Sequence, residues 1–227
     1  MPGPRLVLGA DGCPGNGWVV AAVVPGRRGV AWHWVVGADA LLALADELGA
    51  AAVAADVPIG LPATGTRACD RLARARLRGG GSSSVFAAPA REVLTHRTYA
   101  EARDAHPSLS AQTFGLVPRI RDVDDALQAA GPQVHGRVLE CHPEVSLRAL
   151  TGVVLPRKKS APGALLRLRA LEQALGPVPP DAPAGAAVDD ALDALACAWT
   201  ALRWLRGEAE VLGGDLDEVG MPMRIVI

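Results

Sequence analysis

Residues 5–36 read RLVLGADGCPGNGWVVAAVVPGRRGVAWHWVV, and this stretch decides the fold. It predicts three strands, at Leu6–Ala10, Trp18–Val24 and Gly29–Val36, which are separated by turns rich in glycine and proline. The connections are too short for a crossover helix. The three strands are therefore expected to form an antiparallel meander.

The segments that follow predict a change from antiparallel to parallel pairing. Ala38–Leu48 has the spacing of a helix and is followed by Gly49, a suitable C-terminal cap. Ala51–Val57 then predicts a strand, and a strand–helix–strand passage of this length favours a right-handed parallel crossover. The later predicted elements are a strand at Val138–Cys141, helices at Pro143–Leu150, Lys158–Leu175 and Asp189–Arg206, and a small strand at Met221–Ile227.

Residues 61–136 differ from their surroundings, because they carry short helical patterns broken by proline and glycine and no clear strand pattern. We interpret them as a helical insertion, or cap, within a single domain that comprises residues 1–227. The resulting element order is β-β-β-α-β, the helical insertion, and then β-α. It predicts an α/β, RNase H-like fold: a mixed five-stranded sheet of order 3-2-1-4-5 with flanking helices.

Composition limits the function classes. Half of the 227 residues are hydrophobic and the net charge is −1, so any nucleic-acid binding must come from a local patch. The four cysteines match no zinc motif, which favours a reduced, cytoplasmic protein. The N-terminal residues lack the features of a signal peptide, and no apolar run of about 18 residues occurs, so no membrane partner is expected.

Five carboxylates are placed as a metal-dependent enzyme would need them. Asp11, Asp56 and Glu140 each end an apolar run, and Asp190 and Asp193 share one face of the last helix. Neighbouring strands lie about 4.8 Å apart, so acids at the ends of the first and fourth strands can reach one ion. Clustered carboxylates repel one another unless a cation lies among them, and oxygen ligands favour Mg²⁺ or Mn²⁺. We therefore predict that all five are catalytic residues and metal ligands.

Each carboxylate also has a simpler interpretation. Asp11 and Asp56 precede turns, where an aspartate can accept hydrogen bonds from backbone amides. Asp189 or Asp190 could cap the last helix, and Asp193 lies where an acid suits the helix dipole. Glu140 could simply face water.

A phosphate-bearing substrate requires cationic side chains, and the chain offers several. Arg67, Arg71, Arg74 and Arg78 recur at helical spacing, and the glycine/serine-rich loop that follows contains Ser83 and Ser84. The predicted substrate-binding residues are Arg67, Arg71, Arg74, Ser83, Ser84, Arg91, Lys158 and Lys159. The alternative for the arginines is a solvated helix face. For His142, two residues after Glu140, the choice is between assisting the site and packing at a helix start.

Four motifs carry a resemblance to a known family: DGCPGNGW at 11–18, DVPIGLP at 56–62, ECHPEVS at 140–146 and DALDALACAW at 190–199. They resemble those of an uncharacterised prokaryotic family of predicted RNase H-like nucleases. RACD at 67–70, SSVF at 83–86, PAR at 89–91 and the Lys158-Lys159 pair extend the likeness. The last helix is also similar to that of Holliday-junction resolvases of the RuvC type, which have no expected counterpart of Glu140. The resemblance implies the fold and suggests phosphodiester hydrolysis.

We therefore expect a divalent-metal-dependent phosphodiesterase or nuclease that cleaves nucleic acid by two-metal hydrolysis. Asp11 would bridge the two ions, Asp56 and Asp193 would hold one ion each, and Asp190 or Glu140 would complete the shell. The alternatives are a hydrolase of a small nucleotide or phosphorylated metabolite, one half of an actin-like ATP-binding phosphotransferase, and a non-catalytic RNase H-like scaffold. The near-neutral charge favours the small substrate.

Overall fold

A computed structural model describes residues 5–26 and 29–227. Residues 1–4, on which the signal-peptide expectation partly rests, lie outside the described part of the chain. The central sheet has the order β3-β2-β1-β4-β5, in which β1 pairs antiparallel with β2 and parallel with β4. The strands are β1 (Val7–Cys13), β2 (Gly17–Val23), β3 (Val30–Val36), β4 (Ala52–Ala55) and β5 (Val138–Glu140). The predicted RNase H-like sheet is thereby confirmed.

Helices flank this sheet and fill the long segment between β4 and β5. The helices are α1 (Ala38–Glu47), α2 (Ala68–Arg76), α3 (Tyr99–Ala105), α4 (Ala111–Ala130), α5 (Pro143–Thr151), α6 (Ala161–Leu175) and α7 (Val188–Arg206). Short 3₁₀ turns lie at Ser82–Ser84, Arg91–Thr95 and Pro132–Val134. Residues 56–137 are described throughout and contain helices but no strand, in agreement with the helical pattern predicted there. In the described residues, no helix has both the length and the apolar character needed to cross a membrane.

The sheet is buried on both faces, and each face packs against a different set of helices. Val7 of β1, Ala54 of β4 and Leu139 of β5 belong to the core formed with α7. Leu8 and Val53, their neighbours in sequence, belong to the opposite core formed with α1 and α4. Successive side chains of a strand point to opposite faces. The face that a residue occupies therefore follows from its position relative to these core residues.

The last helix lies unusually close to the central strand, because β1 contains Gly9. A Cβ atom added at Gly9 would lie 2.0 Å from the backbone nitrogen of Ala198 and 2.2 Å from the carbonyl oxygen of Ala194. Both of these alanines are fully buried. The backbone of α7 therefore rests on β1 at this point, and only glycine permits the approach.

A two-stranded antiparallel hairpin, β6 (Val211–Leu216) and β7 (Pro222–Val226), follows α7. The small strand predicted at Met221–Ile227 corresponds to β7, whereas β6 was not predicted because Gly213 and Gly214 interrupt its pattern. Val226 of β7 forms an isolated parallel bridge with Cys141, the residue after β5, so the hairpin lies beside the end of β5.

We expect Gly9→Ala to lower the free energy of unfolding by about 1–3 kcal/mol, because the added methyl group overlaps the α7 backbone. The matched control is Gly115→Ala in α4, where an added Cβ atom meets nothing within 4 Å. The control should be neutral or more stable by up to about 1 kcal/mol, because alanine is the better helix former. Urea unfolding of both variants measures the difference. Equal midpoints for the two variants would contradict the proposed close approach.

Candidate metal centre

Two of the predicted acids lie at the same level on neighbouring parallel strands, Asp11 within β1 and Asp56 directly after β4. Ala10 of β1 pairs with Ala55 of β4, and the backbone N–H of Asp56 donates to the Ala10 carbonyl at 3.1 Å. Asp11 and Asp56 therefore follow directly after paired residues. By strand alternation, both also fall on the face that packs against α7. This is the arrangement that the sequence predicted.

Helix α7 brings the third acid to the same place. Because the Ala194 carbonyl lies against Gly9, Asp193, one residue earlier, is held near the C-terminal half of β1. The Asp193 side chain is only 3% exposed. Its Oδ2 atom is bound by Lys158, whereas its Oδ1 atom is buried and has no hydrogen-bond partner in the described part of the chain. The structure thus brings Asp11, Asp56 and Asp193 to one cleft.

Lys158 places an ammonium group among these carboxylates. It lies between α5 and α6, and its Nζ atom is 2.5 Å from Asp193 Oδ2 and 3.7 Å from Asp189 Oδ2. These acids, Asp193 first, raise the pKa of Lys158 against the effect of its burial. Lys159 is 82% exposed and 3.9 Å from Asp189. Both lysines were predicted as substrate contacts, and that role stays a prediction.

Burial and mutual repulsion raise the pKa values of the three acids. Burial raises the pKa of Asp11 well above its ordinary value, and the charges of Asp56, Asp193 and Asp190 raise it further. Burial raises the pKa of Asp56 to about 6 against Lys158 and Arg119, and that of Asp193 to about 7 against Lys158. Lys158 and Arg119 therefore do not fully compensate the burial of the three acids.

Asp190 caps α7 beside the cluster. Its Oδ2 atom accepts the backbone N–H of Ala187 at 3.0 Å and faces the Cys13 thiol at 3.5 Å. The capping interpretation thus describes the contacts of Asp190, rather than those of Asp189. Its role as a ligand remains a prediction. Burial raises the pKa of Cys13 to about 12, so the thiol is protonated and inert as a nucleophile.

Glu140 occupies the other face of the sheet. Leu139 packs towards α7, so alternation turns Glu140 away from the three aspartates. Its two oxygens accept from the Arg67 guanidinium at 2.6 and 2.7 Å, and one also accepts the Ile59 N–H at 2.7 Å. Burial raises its pKa to about 7, against the opposing effect of Arg67. These contacts form a structural ion pair between Glu140 and Arg67, and the role of Glu140 as a metal ligand remains a prediction.

The predicted arginines divide into buried and exposed groups. Arg67 is buried, and it donates to Asp70, to Glu140 and to the carbonyls of Ile59 and Gly60. Arg91 donates to Asp124 at 2.7 Å and to Asp217 at 2.5 Å. Of the predicted arginines, Arg71 and Arg74 are exposed on α2, which begins after Arg67 and ends before Arg78. Both buried guanidinium groups could reach a substrate only after breaking ion pairs.

The three aspartates line a cleft of about 970 Å³. Arg67, Glu140 and Glu144 also line this cleft. Its other walls come from the segments on either side of the sheet end: Gly80, Gly81, Ser84 and Phe86; Gln112, Leu116 and Arg119 of α4; and Val154, Leu155, Pro156, Arg157, Lys158 and Lys159. Ser84 of the predicted set lines the cleft, and Ser83 is exposed in the same turn. The sequence did not single out Arg119 or Arg157, because neither lies in a motif or a strand end.

His142 also lines this cleft, and its hydrogen bond fixes its tautomer. Its Nε2 atom lies 3.2 Å from the carbonyl oxygen of Ser84. A carbonyl can only accept, so Nε2 carries the proton and Nδ1 is left as an acceptor. Nδ1 is buried and has no hydrogen-bond partner within residues 5–26 and 29–227, and burial lowers the pKa of the ring. His142 therefore presents a neutral imidazole with an unpaired acceptor.

The raised pKa values predict how the stability of the metal-free protein depends on pH. A carboxyl whose folded pKa exceeds its unfolded value binds more protons when folded, so stability falls as pH rises between the two values. For Asp56 this window runs from 3.8 to about 6, and for Asp193 from 3.8 to about 7. Denaturant unfolding in a chelator should thus show lower stability at pH 8 than at pH 5. Asp193→Asn should reduce that loss, and an unchanged loss would contradict the assignment.

Comparison with known proteins identifies a family. The family model described as "Protein of unknown function (DUF429)" matches residues 9–218, which include every residue of the candidate centre. No curated protein and no solved structure matches the chain. Because the family model covers most of the sequence, the chain belongs to the family described as "Protein of unknown function (DUF429)".

Proposed function

We propose that this protein is a divalent-metal-dependent phosphodiesterase that hydrolyses nucleic acid, with Mg²⁺ or Mn²⁺ held by Asp11, Asp56 and Asp193. The observation that carries the proposal is the convergence of three carboxylates on one cleft, with Oδ1 of Asp193 buried and unpartnered there. A buried carboxylate oxygen without a partner is costly unless a cation or a donor satisfies it.

The donor set fits a hard divalent ion. All three side chains offer only carboxylate oxygens, which suit Mg²⁺ and Mn²⁺ better than zinc. In the described residues, no three of the predicted acids have ligand atoms all within 4.8 Å of one another, so binding requires the carboxylates to draw together. A divalent ion attracts all three carboxylates and offsets their mutual repulsion, so its binding favours such a closure. Lys158, whose side chain is 37% exposed, can leave the cluster towards solvent.

The residues of the chain then have distinct tasks. A bound ion would lower the pKa of a water molecule and offset charge on the leaving oxygen. Asp11 is fixed by the hydrogen-bonded ladder of β1, and Asp56 by its backbone bond to Ala10. Lys158, once released from Asp193, can bind a phosphate oxygen at the same place. Phe86 and Leu116 contribute apolar walls that limit the access of bulk water.

Similarity to nucleases supports the same reaction. The strand order is that of RNase H-like proteins, and the last helix resembles that of RuvC-type resolvases. That resolvase pattern has no acid corresponding to Glu140. The ion pair between Glu140 and Arg67 agrees with this, because it leaves the two strand-borne aspartates and α7 as the source of the ligands.

A second candidate is hydrolysis of a small nucleotide or another phosphorylated metabolite. One observation favours it: the cleft of about 970 Å³ is walled by the segment after α2, by α4 and by residues 154–159. Small-molecule sites are concave and of this order of size. The near-neutral net charge agrees, since no global field attracts a polyanion.

We expect Asp11→Asn to abolish Mn²⁺ binding and catalysis while leaving the fold intact, because it removes one anionic ligand without changing the shape of the side chain. Calorimetric titration with Mn²⁺ is run beside cleavage assays on DNA, RNA and small phosphate esters. Asp39→Asn, which changes an exposed aspartate of α1, is the matched control and should behave as wild type.

The outcomes separate the candidates. Loss of Mn²⁺ binding and of nucleic-acid cleavage together supports the phosphodiesterase. Metal binding with turnover of small esters alone supports the second candidate. Metal binding without turnover of any phosphate ester, or unchanged Mn²⁺ affinity in Asp11→Asn, contradicts the proposal and favours a non-catalytic scaffold.

Two double variants distinguish a polymer from a small substrate. If nucleic acid crosses the exposed face of α2, Arg71→Ala with Arg74→Ala should weaken its binding and reduce the salt-dependence slope by about 2. Arg157 and Lys159 are exposed at the cleft, so changing both to alanine should weaken either kind of substrate. Unchanged affinity and slope in the first pair would show that these two arginines are only solvated surface.

A further inference from the structure

A second group of potential ligands lies away from the cleft. Glu92 belongs to the 3₁₀ turn Arg91–Thr95, His96 follows that turn directly, and His106 ends α3. None of the three lines the cleft that contains Asp11, Asp56 and Asp193. They are separated from that site in space and differ from it in ligand type.

The ligand atoms of this group converge on one point. One nitrogen of each histidine and one carboxylate oxygen of Glu92 lie within 4.8 Å of one another. His106 Nε2 is 3.5 Å from Glu92 Oε2, and the two imidazole rings meet edge to face with centroids 6.1 Å apart. In a tetrahedral zinc site with bonds of about 2.0–2.1 Å, neighbouring ligand atoms lie about 3.3 Å apart. The distances therefore need only a small closure to surround an ion.

The unusual feature is that both histidine nitrogens are unsatisfied. His96 Nε2 and His106 Nε2 are buried, and neither has a hydrogen-bond partner among the residues that the structure describes. A neutral imidazole with its proton on Nδ1 offers a lone pair at Nε2. With both rings in that tautomer, the two Nε2 lone pairs and the carboxylate present three acceptors and no donor at this point. Such a group is stabilised by a cation.

An ion pair between His106 and Glu92 is the simpler alternative, and it leaves part of the geometry unexplained. Their 3.5 Å separation does not form a hydrogen bond, since His106 Nε2 remains without a partner. This ion pair also offers no hydrogen-bond partner to His96 Nε2. A single ion bound by all three residues satisfies both nitrogens and the carboxylate together.

We propose that Glu92, His96 and His106 form a binding site for a divalent transition-metal ion of the Zn²⁺ class. Two imidazole nitrogens and one carboxylate favour Zn²⁺, Co²⁺ or Ni²⁺ over Mg²⁺. The three aspartates of the cleft have the opposite preference. The Glu92 side chain is 66% exposed, so the fourth position of a tetrahedral ion opens to solvent.

The position of the site indicates what it does. An ion there joins the end of the 3₁₀ turn to the end of α3, above a small core of Val93, Ala102, Leu109 and Val117. Arg121 of α4 already holds the turn by donating to the Leu94 carbonyl at 2.8 Å. The same helix α4 supplies Gln112, Leu116 and Arg119 to the cleft. The ion therefore stabilises the helical segment that forms one wall of the candidate centre.

The test is a Zn²⁺ titration by calorimetry in excess Mg²⁺, which competes with Zn²⁺ for carboxylate sites such as the aspartate cluster. Wild type is compared with His96→Ala and His106→Ala, and His33→Ala, a histidine of β3, is the matched control. We expect each of the first two variants to bind Zn²⁺ at least about tenfold more weakly at this site, as loss of an inner ligand implies. The control should keep the wild-type affinity and stoichiometry.

A second variant keeps the test valid if a histidine variant fails to fold. Glu92→Gln changes a largely exposed side chain, and it should also weaken Zn²⁺ binding while leaving the circular dichroism spectrum unchanged. Zn²⁺ should raise the melting temperature of wild type and of His33→Ala more than that of Glu92→Gln. Equal Zn²⁺ affinity and stoichiometry in wild type and in the folded variants of this group would overturn the proposal.

Discussion

The close approach of α7 to β1 at Gly9 is the constraint on which the rest of the structure depends. With no side chain at Gly9, the helix backbone rests directly on the central strand, near the carbonyl of Ala194. That contact holds Asp193 near the end of β1, while the parallel pairing of β1 with β4 sets Asp11 beside Asp56. Three carboxylates thus come from three elements whose relative positions are fixed by backbone contacts.

Two buried acidic systems lie on opposite faces of the same sheet end, and they differ in how their charges are balanced. Arg67 donates hydrogen bonds to both Glu140 and Asp70 and to the carbonyls of Ile59 and Gly60, as a structural ion-pair network requires. The three aspartates face the ammonium group of Lys158 and, more weakly, the guanidinium of Arg119, and within the described residues Asp193 keeps an oxygen without a hydrogen-bond partner. Raised pKa values occur in both systems, and the unsatisfied oxygen of Asp193 is what distinguishes the aspartate cluster.

The sequence was sufficient to predict the structural features that depend on local residue patterns. Strand runs, short turns and one crossover predicted the sheet order, and the order placed Asp11 and Asp56 together. Glu140 was grouped with them because it ends a strand, although the alternation from Leu139 assigns it to the other face. The burial of Arg67, the approach of Lys158 and the contribution of Arg119 depend on contacts between distant segments. No local signal encodes such contacts, and β6 was missed because its two glycines interrupt its pattern.

The most direct test of the central claim is an anomalous-scattering experiment on crystals of the protein soaked in Mn²⁺. The account predicts a Mn²⁺ peak bound by Asp11, Asp56 and Asp193, with Lys158 Nζ displaced from its 2.5 Å contact with Asp193. An anomalous map without a peak at these carboxylates, in which Lys158 keeps that contact, would contradict the assignment of a metal centre.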